Sequence, residues 1–231
     1  MPLPALVVVH GAWHGPWCWR PLIERLPDVA VHPVALPSSG ADPTALGGLY
    51  DDAEAVRAAV AGIEGPVVVC AHSYGGLPVT EALTGVGDVR RLVYLCSFQL
   101  DAGESLLGSV GGTPPEWWDV HEADGYVDAL DPAAVFYGDV APETARAAIG
   151  ALGHQSLASV TQPLREAAWR TIPSTYVVCE RDAGIPPFAQ EAMAQRAQRV
   201  LRMDASHSPF LSRPAELAGL LRAELTEAAA R

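Results

Sequence analysis

The chain has 231 residues, 27 of them acidic and 15 basic, for a formal net charge of −12. That sign excludes nucleic acid and an anionic membrane surface as partners, because phosphate-driven attraction becomes repulsion. All 15 basic residues are arginine, so Schiff-base chemistry and any step needing a catalytic ammonium side chain are excluded as well. The opening "MPLPALVVVHG" has a short apolar run and no basic segment before it, so no signal peptide is expected. No apolar stretch reaches the ~20 residues a membrane span requires, and a cytoplasmic protein is the expectation. "ALVVVH" (5–10) is a β-branched run ending at Gly11, the pattern of a strand buried on both faces. "VAVHPVALP" (29–37) is a second strand, and Pro33 assigns it to an edge or a bulge. Acids early in "YDDAEAVRAAVAGI" (50–63) mark a helix N-terminus. "GPVVVCAH" (65–72) is a third strand, followed by a helix at 76–85 with Pro78 in its first turn. "RRLVYLCSF" (90–98), "STYVVCERD" (174–182) and the weaker "QRVLRMDAS" (198–206) complete six strands. Helices at 186–197 and 213–231 follow the last two, the final one with Leu217, Leu220, Leu221 and Leu225 on one face.

Alternating strands and helices predict an α/β fold: a mostly parallel six-stranded sheet flanked by helices. The rhythm breaks between about 99 and 172, where proline, glycine and aromatics mix with short helical pieces. A stretch that long is rarely structureless inside a compact domain. It is read as a small helical cap, residues 101–165, inserted after the fourth strand into a core of 1–100 and 166–231. Cys18, Cys70, Cys96 and Cys179 have no zinc-like spacing and are expected as buried free thiols.

"CAHSYGG" (70–76) carries the chemistry. Small-x-Ser-x-Gly between a strand and a helix is the pattern of a nucleophile elbow, which lifts Ser73 on a strained backbone and needs small neighbours at Ala71 and Gly75. A serine hydroxyl needs a base. His207, in "MDASHSPF" after the last strand, has the expected late position. The acid that orients it is assigned to Asp182 at the end of strand five, with Asp101 after strand four as the rival and Glu180 as a residue still on the strand. The oxyanion donors are the N–H groups of Tyr74, next to the nucleophile, and Ala12, in the "HGAWHGPWCW" loop after strand one.

Four segments, "LVVVHGAWHGPWCWRPL", "VVVCAHSYGGLPV", "YVVCERDAGIPPFAQEAMAQR" and "DASHSPFLSRPAEL", resemble the α/β-hydrolase group that contains plant methylesterases and hydroxynitrile lyases. The resemblance covers about 5–98 and 170–230. It implies the α/β-hydrolase fold, a triad of Ser73, Asp182 and His207, an oxyanion hole at Ala12 and Tyr74, and a pocket under the cap. It implies no metal and no organic cofactor. The hydroxynitrile lyases of that group carry a lysine beside the catalytic histidine. Here the neighbour is Ser208 and the chain has no lysine, which sets the lyase reading aside.

Trp117, Trp118, Phe136 and Tyr137 either pack the cap on the core or line a pocket; with Trp13, His14 and His154 they form the candidate substrate pocket. His72 is read as filling the turn without exchanging protons, His10 as structural, and His121 as solvated. Asp51–Asp52 and Asp124/Asp128 are read as solvated helix faces. The expected activity is hydrolysis of a small carboxylic ester through an acyl-enzyme. The alternative is a non-hydrolytic tailoring step using the same triad, and a ligand-binding protein on the same scaffold is a third class. The expected partner is a small-molecule ester or related carbonyl compound, with a homodimer left open.

Overall fold

A computed structural model describes residues 3–230. In chain order the strands are β1 (Ala5–Val9), β2 (Val31–Val34), β3 (Ser39–Gly40), β4 (Pro66–His72), β5 (Asp88–Leu95), β6 (Trp118–His121), β7 (Tyr126–Ala129), β8 (His154–Ser156), β9 (Ser174–Cys179) and β10 (Arg199–Met203). Six of them form one sheet in the order β10-β9-β5-β4-β1-β2, and every neighbouring pair is parallel. All six predicted strands are in it, most of them shorter at the C-terminal end. Pro33 lies in β2, the edge strand, where a missing N–H costs least.

The apolar runs are continuous because both faces of the sheet are covered. Successive residues alternate between two cores. Val7, Val9, Val67, Val69, Leu92 and Tyr94 face one layer, which holds the helices Leu49–Ala61 and Gly76–Ala82. Leu6, Val8, Val68, Cys70, Val93 and Leu95 face the other, which holds the C-terminal helix Pro214–Ala229 through Leu217, Leu221 and Leu225. All four cysteines are free and buried. No helix among the described residues is long and apolar enough to cross a membrane.

The insertion between β5 and β9 differs from the helical cap predicted. It has short helices, including Leu106–Ser109, Pro132–Phe136 and Pro142–Ile149. It also has three strands, which join β3 of the core in a second, antiparallel sheet of order β3-β8-β7-β6. These strands have three or four residues each, too few for alternation to register. The usable signal is Asp124–Gly125 between β6 and β7, where Gly125 has φ +75° as a hairpin turn requires. Backbone bonds fasten the insertion to the core: Gly153 N–H donates to the Trp13 carbonyl at 2.8 Å and Ser156 N–H to the Ser38 carbonyl at 2.8 Å. Trp13 is the hub of the join, stacked on Phe136 at 5.6 Å and edge-on to Trp117 and Trp118.

Candidate active site

β4 delivers the chain to Ser73 at the C-terminal edge of the sheet. Ser73 has φ +52°, a left-handed conformation that non-glycine residues adopt at a cost of about 1–3 kcal/mol. The turn is tight enough to demand Gly75 and Gly76. A Cβ on Gly75 would lie 2.5 Å from the His10 carbonyl oxygen, and one on Gly76 would lie 2.3 Å from that of Phe98. The strained turn therefore closes against β1 and against the chain leaving β5.

Ser73 Oγ lies 3.0 Å from His207 Nε2. His207 Nδ1 lies 2.8 Å from Asp182 Oδ2. The loop after β9 and the helix Pro187–Ala194 that follows it hold the carboxylate from both ends. Oδ1 accepts the N–H groups of Gly184 and Ile185 at 2.8 and 2.9 Å, and Oδ2 also accepts from Gln190 Nε2 at 3.0 Å. Asp182 and His207 are buried, whereas Ser73 keeps 9% exposure, toward a cavity. Gly184, Ile185 and Gln190 all donate to the Asp182 carboxylate, and the imidazole completes the set: Nδ1–H donates to Oδ2, which leaves Nε2 with its lone pair toward the Ser73 hydroxyl. The rival acid does not reach the imidazole. Asp101 is paired with Arg170, whose guanidinium holds its carboxyl below the usual range. Glu180 is exposed.

Tyr74 lies in the one-turn helix Ser73–Gly75, whose leading N–H groups have no intrahelical acceptor. The Ala12 N–H donates to no acceptor among the described residues. Both residues line the cavity over Ser73.

Of the aromatic candidates, Trp13, Trp117, Trp118 and Phe136 line that cavity. His14, Tyr137 and His154 do not. His14 and Tyr137 are spent on each other behind the loop: Tyr137 O–H donates to His14 Nε2 at 2.9 Å, and His14 Nδ1–H donates to the Ala12 carbonyl at 2.8 Å. Burial pushes the His14 imidazole down to about 3. His154 stays on the insertion's surface, bonded to Asp128 at 2.8 Å. Sequence reasoning missed Phe98, Leu106, Val110, Pro115, Gly184 and Ile185 as cavity-lining residues, because they reach the cavity through tertiary placement.

His72 is fully buried, and burial drives its pKa well below the ordinary value. Its Nε2–H donates to the His207 carbonyl at 2.8 Å, and its ring packs 4.6 Å from the His207 ring. His72, Cys96 and His207 are the described residues whose ligand-type atoms cluster, within 4.8 Å of one another. They do not fit a metal. Both His207 nitrogens and His72 Nε2 are hydrogen-bonded, and burial keeps the Cys96 thiol protonated. His10 is structural, accepting Leu36 N–H at Nε2, with its pKa lowered by burial to about 4.

One acidic reading needs correction. Asp52, taken as solvated, is fully buried. It accepts from Ser38 N–H at 2.8 Å and from the Tyr74 hydroxyl at 2.6 Å. Burial raises its carboxyl to about 6. Only Asp51 behaves as a helix-start residue, accepting Gly48 N–H at 2.7 Å. Asp128 also departs from the reading: it lies on β7, half-buried, against His154.

A fold of this topology with a serine on the strand–helix turn defines a class of enzyme. The family model described as "Alpha/beta hydrolase family" matches residues 6–220, and the chain belongs to that family. It is similar to Alpha/beta hydrolase nvfD of Aspergillus novofumigatus, 33% identical over 97% of this chain and 98% of that one. It is also similar to Methylesterase 1 of Arabidopsis thaliana, 24% identical over 91% and 92% of the two chains. In three dimensions it superimposes on the pyrethroid hydrolase PytH with a TM-score of 0.82 at 20% identity, covering 96% and 97% of the chains. The chain is thus a hydrolase that stands with the plant methylesterase-like branch of the family.

Proposed function

We propose that this protein is a serine hydrolase that cleaves a small carboxylic ester through an acyl-enzyme. The observation that carries the reading is the continuous hydrogen-bonded line from Ser73 Oγ to His207 Nε2 at 3.0 Å and from His207 Nδ1 to Asp182 at 2.8 Å. Esterase-named relatives add support. His207 takes the Ser73 proton as Oγ attacks the carbonyl carbon. The Ala12 and Tyr74 N–H groups receive the negative charge that develops on the carbonyl oxygen. His207 returns the proton to the departing alkoxide and alcohol leaves. Water, deprotonated by His207, then releases the acid and restores Ser73. Asp182 keeps the imidazole aligned and stabilises its charged form. A fluorophosphonate probe labels the wild-type protein at Ser73 and leaves Ser73→Ala unlabelled; equal labelling of the two ends the assignment. A cytoplasmic location belongs to the same reading, supported by four unpaired thiols.

The cavity over Ser73 has a volume of only about 40 Å³ and aromatic walls. Phe98, Val110, Gly184 and Ile185 also line an adjoining cleft of about 550 Å³, which Ala192 and Met193 help to line. The substrate therefore has one short arm in the enclosed cavity and one longer, largely apolar arm in the cleft. Among the described residues the one guanidinium lining the cleft, Arg196, is neutralised by two bonds to Glu104 at 2.7 and 2.9 Å, and the proposed long arm is uncharged. Met193→Trp narrows the cleft. Relative to wild type it loses kcat/KM on esters with a long alkyl or aryl arm by about 10-fold, the scale of a few lost apolar contacts. It keeps activity on p-nitrophenyl acetate. Equal losses on both substrates refute this division of the site.

A further inference from the structure

The triad leaves one buried polar cluster unused. Gln155 of β8 and Ser159 come from the insertion, Ser38 from the loop after β2, and Asp52 from helix Leu49–Ala61; all four are fully buried. Gln155 Oε1 accepts the Trp13 N–H at 3.0 Å. Gln155 Nε2 donates to Ser38 Oγ at 2.8 Å and to Ser159 Oγ at 2.7 Å. Ser38 Oγ–H donates to Asp52 Oδ2 at 2.5 Å, and the Tyr74 hydroxyl donates to the same oxygen at 2.6 Å. Ser159 Oγ–H ends the chain on the Ser156 carbonyl at 2.7 Å. Each of these side-chain hydrogens has one acceptor, and the network is closed.

Its two ends are informative. One grips Trp13, the residue after Ala12, and the other grips Tyr74. Resting on the hydrolase reading, these are the two segments that supply the oxyanion donors. Trp13 has φ +61°, a left-handed conformation for a bulky residue, and its own side chain is pinned by a 2.7 Å bond from Nε1–H to the Val127 carbonyl of β7. Such a conformation persists only where its surroundings over-determine it. Burying a carboxylate to brace a turn is a poor route to stability, since apolar side chains of similar size do as well or better. The arrangement makes sense as geometry control.

We propose that Gln155, Ser38 and Asp52 are positioning residues for the oxyanion hole: their hydrogen-bond chain, tied to the insertion through Gln155, fixes the Ala12 and Tyr74 N–H groups relative to each other. The oxyanion hole is then complete only when the insertion is seated on the core.

The test uses Gln155→Met, which removes the brace on Trp13, and Tyr74→Phe, which removes one hydroxyl and keeps the backbone N–H. On p-nitrophenyl acetate both variants lower kcat about 10- to 100-fold with KM within twofold, the scale expected when donors shift by a fraction of an ångström to one ångström. An arylboronic acid, whose tetrahedral Ser73 adduct places an oxygen in the hole, loses affinity by the same factor as kcat/KM. A general structural weakening lowers Tm without that matched loss. If Gln155→Met does not fold, Tyr74→Phe decides alone. Folded variants with kcat and boronate affinity within twofold of wild type overturn the proposal, as does a fall in kcat with boronate affinity unchanged. Failure of the underlying reading has its own signature, a wild-type protein that the fluorophosphonate does not label at Ser73.

Discussion

Ser73→Ala lowers turnover of an activated ester by about 10⁶-fold, His207→Ala lowers it by a similar factor, and the double variant is no slower than either single one. The equality follows from the geometry. In the proposed mechanism Ser73 Oγ is the atom that bonds to carbon, and among the described residues the imidazole nitrogen aimed at it is His207 Nε2, 3.0 Å away. Each residue is useless to acyl transfer without the other, so their losses do not add. What remains, about 10³–10⁴ over water, belongs to the oxyanion donors and to binding. The serine variant is a clean one because alanine meets the same left-handed backbone cost at φ +52° as serine does. Turnover per active site, with the wild type titrated by burst amplitude, measures all three. A double variant slower than either single by the product of their losses shows that the two residues act independently, and the triad mechanism falls.

How much of this candidate site was legible in the sequence depends on the range of each signal. β4 and the turn after it are local: a run of valines, then small-x-Ser-x-Gly, each residue required by backbone contacts such as Gly75 against the His10 carbonyl. Asp182 and His207 were found by their order relative to strands five and six, a topological signal that parallel α/β folds keep because functional groups collect at one sheet edge. The pocket walls had no such signal. Phe98 and Ile185 face the cavity because β5 and β9 are neighbours, and nothing in their immediate sequence says so. Asp52 was misread for a related reason. It sits among acids at a helix start, where solvent is the ordinary outcome, and only the helix's placement under Tyr74 buries it. The insertion's strands, at three or four residues, fell below the length at which period-two alternation separates from noise.

Asp182→Asn costs about 10⁴-fold in kcat, and the cause is a tautomer rather than a lost charge alone. One carboxylate oxygen accepts two backbone N–H groups, from Gly184 and Ile185. The other accepts Gln190 Nε2 and His207 Nδ1. An asparagine has one acceptor oxygen and one NH₂. Aiming the NH₂ at Gly184 and Ile185 sets it against two fixed donors; aiming it at His207 sets it against one, Gln190, whose amide also bonds the Ile185 carbonyl at 2.6 Å. The second orientation has fewer conflicts. There the asparagine donates to Nδ1, the imidazole proton moves to Nε2, and Nε2 faces Ser73 as a donor with no lone pair to receive the hydroxyl proton. The protein stays folded, because the loop keeps both backbone bonds to the asparagine oxygen, and a thermal melt checks that. Asp101→Asn supplies the contrast: its carboxylate serves a surface pair with Arg170, so kcat on the same ester stays within twofold. A tenfold or smaller loss for Asp182→Asn, with a large one for Asp101→Asn, moves the orienting acid to the end of β5 and removes Asp182 from the mechanism.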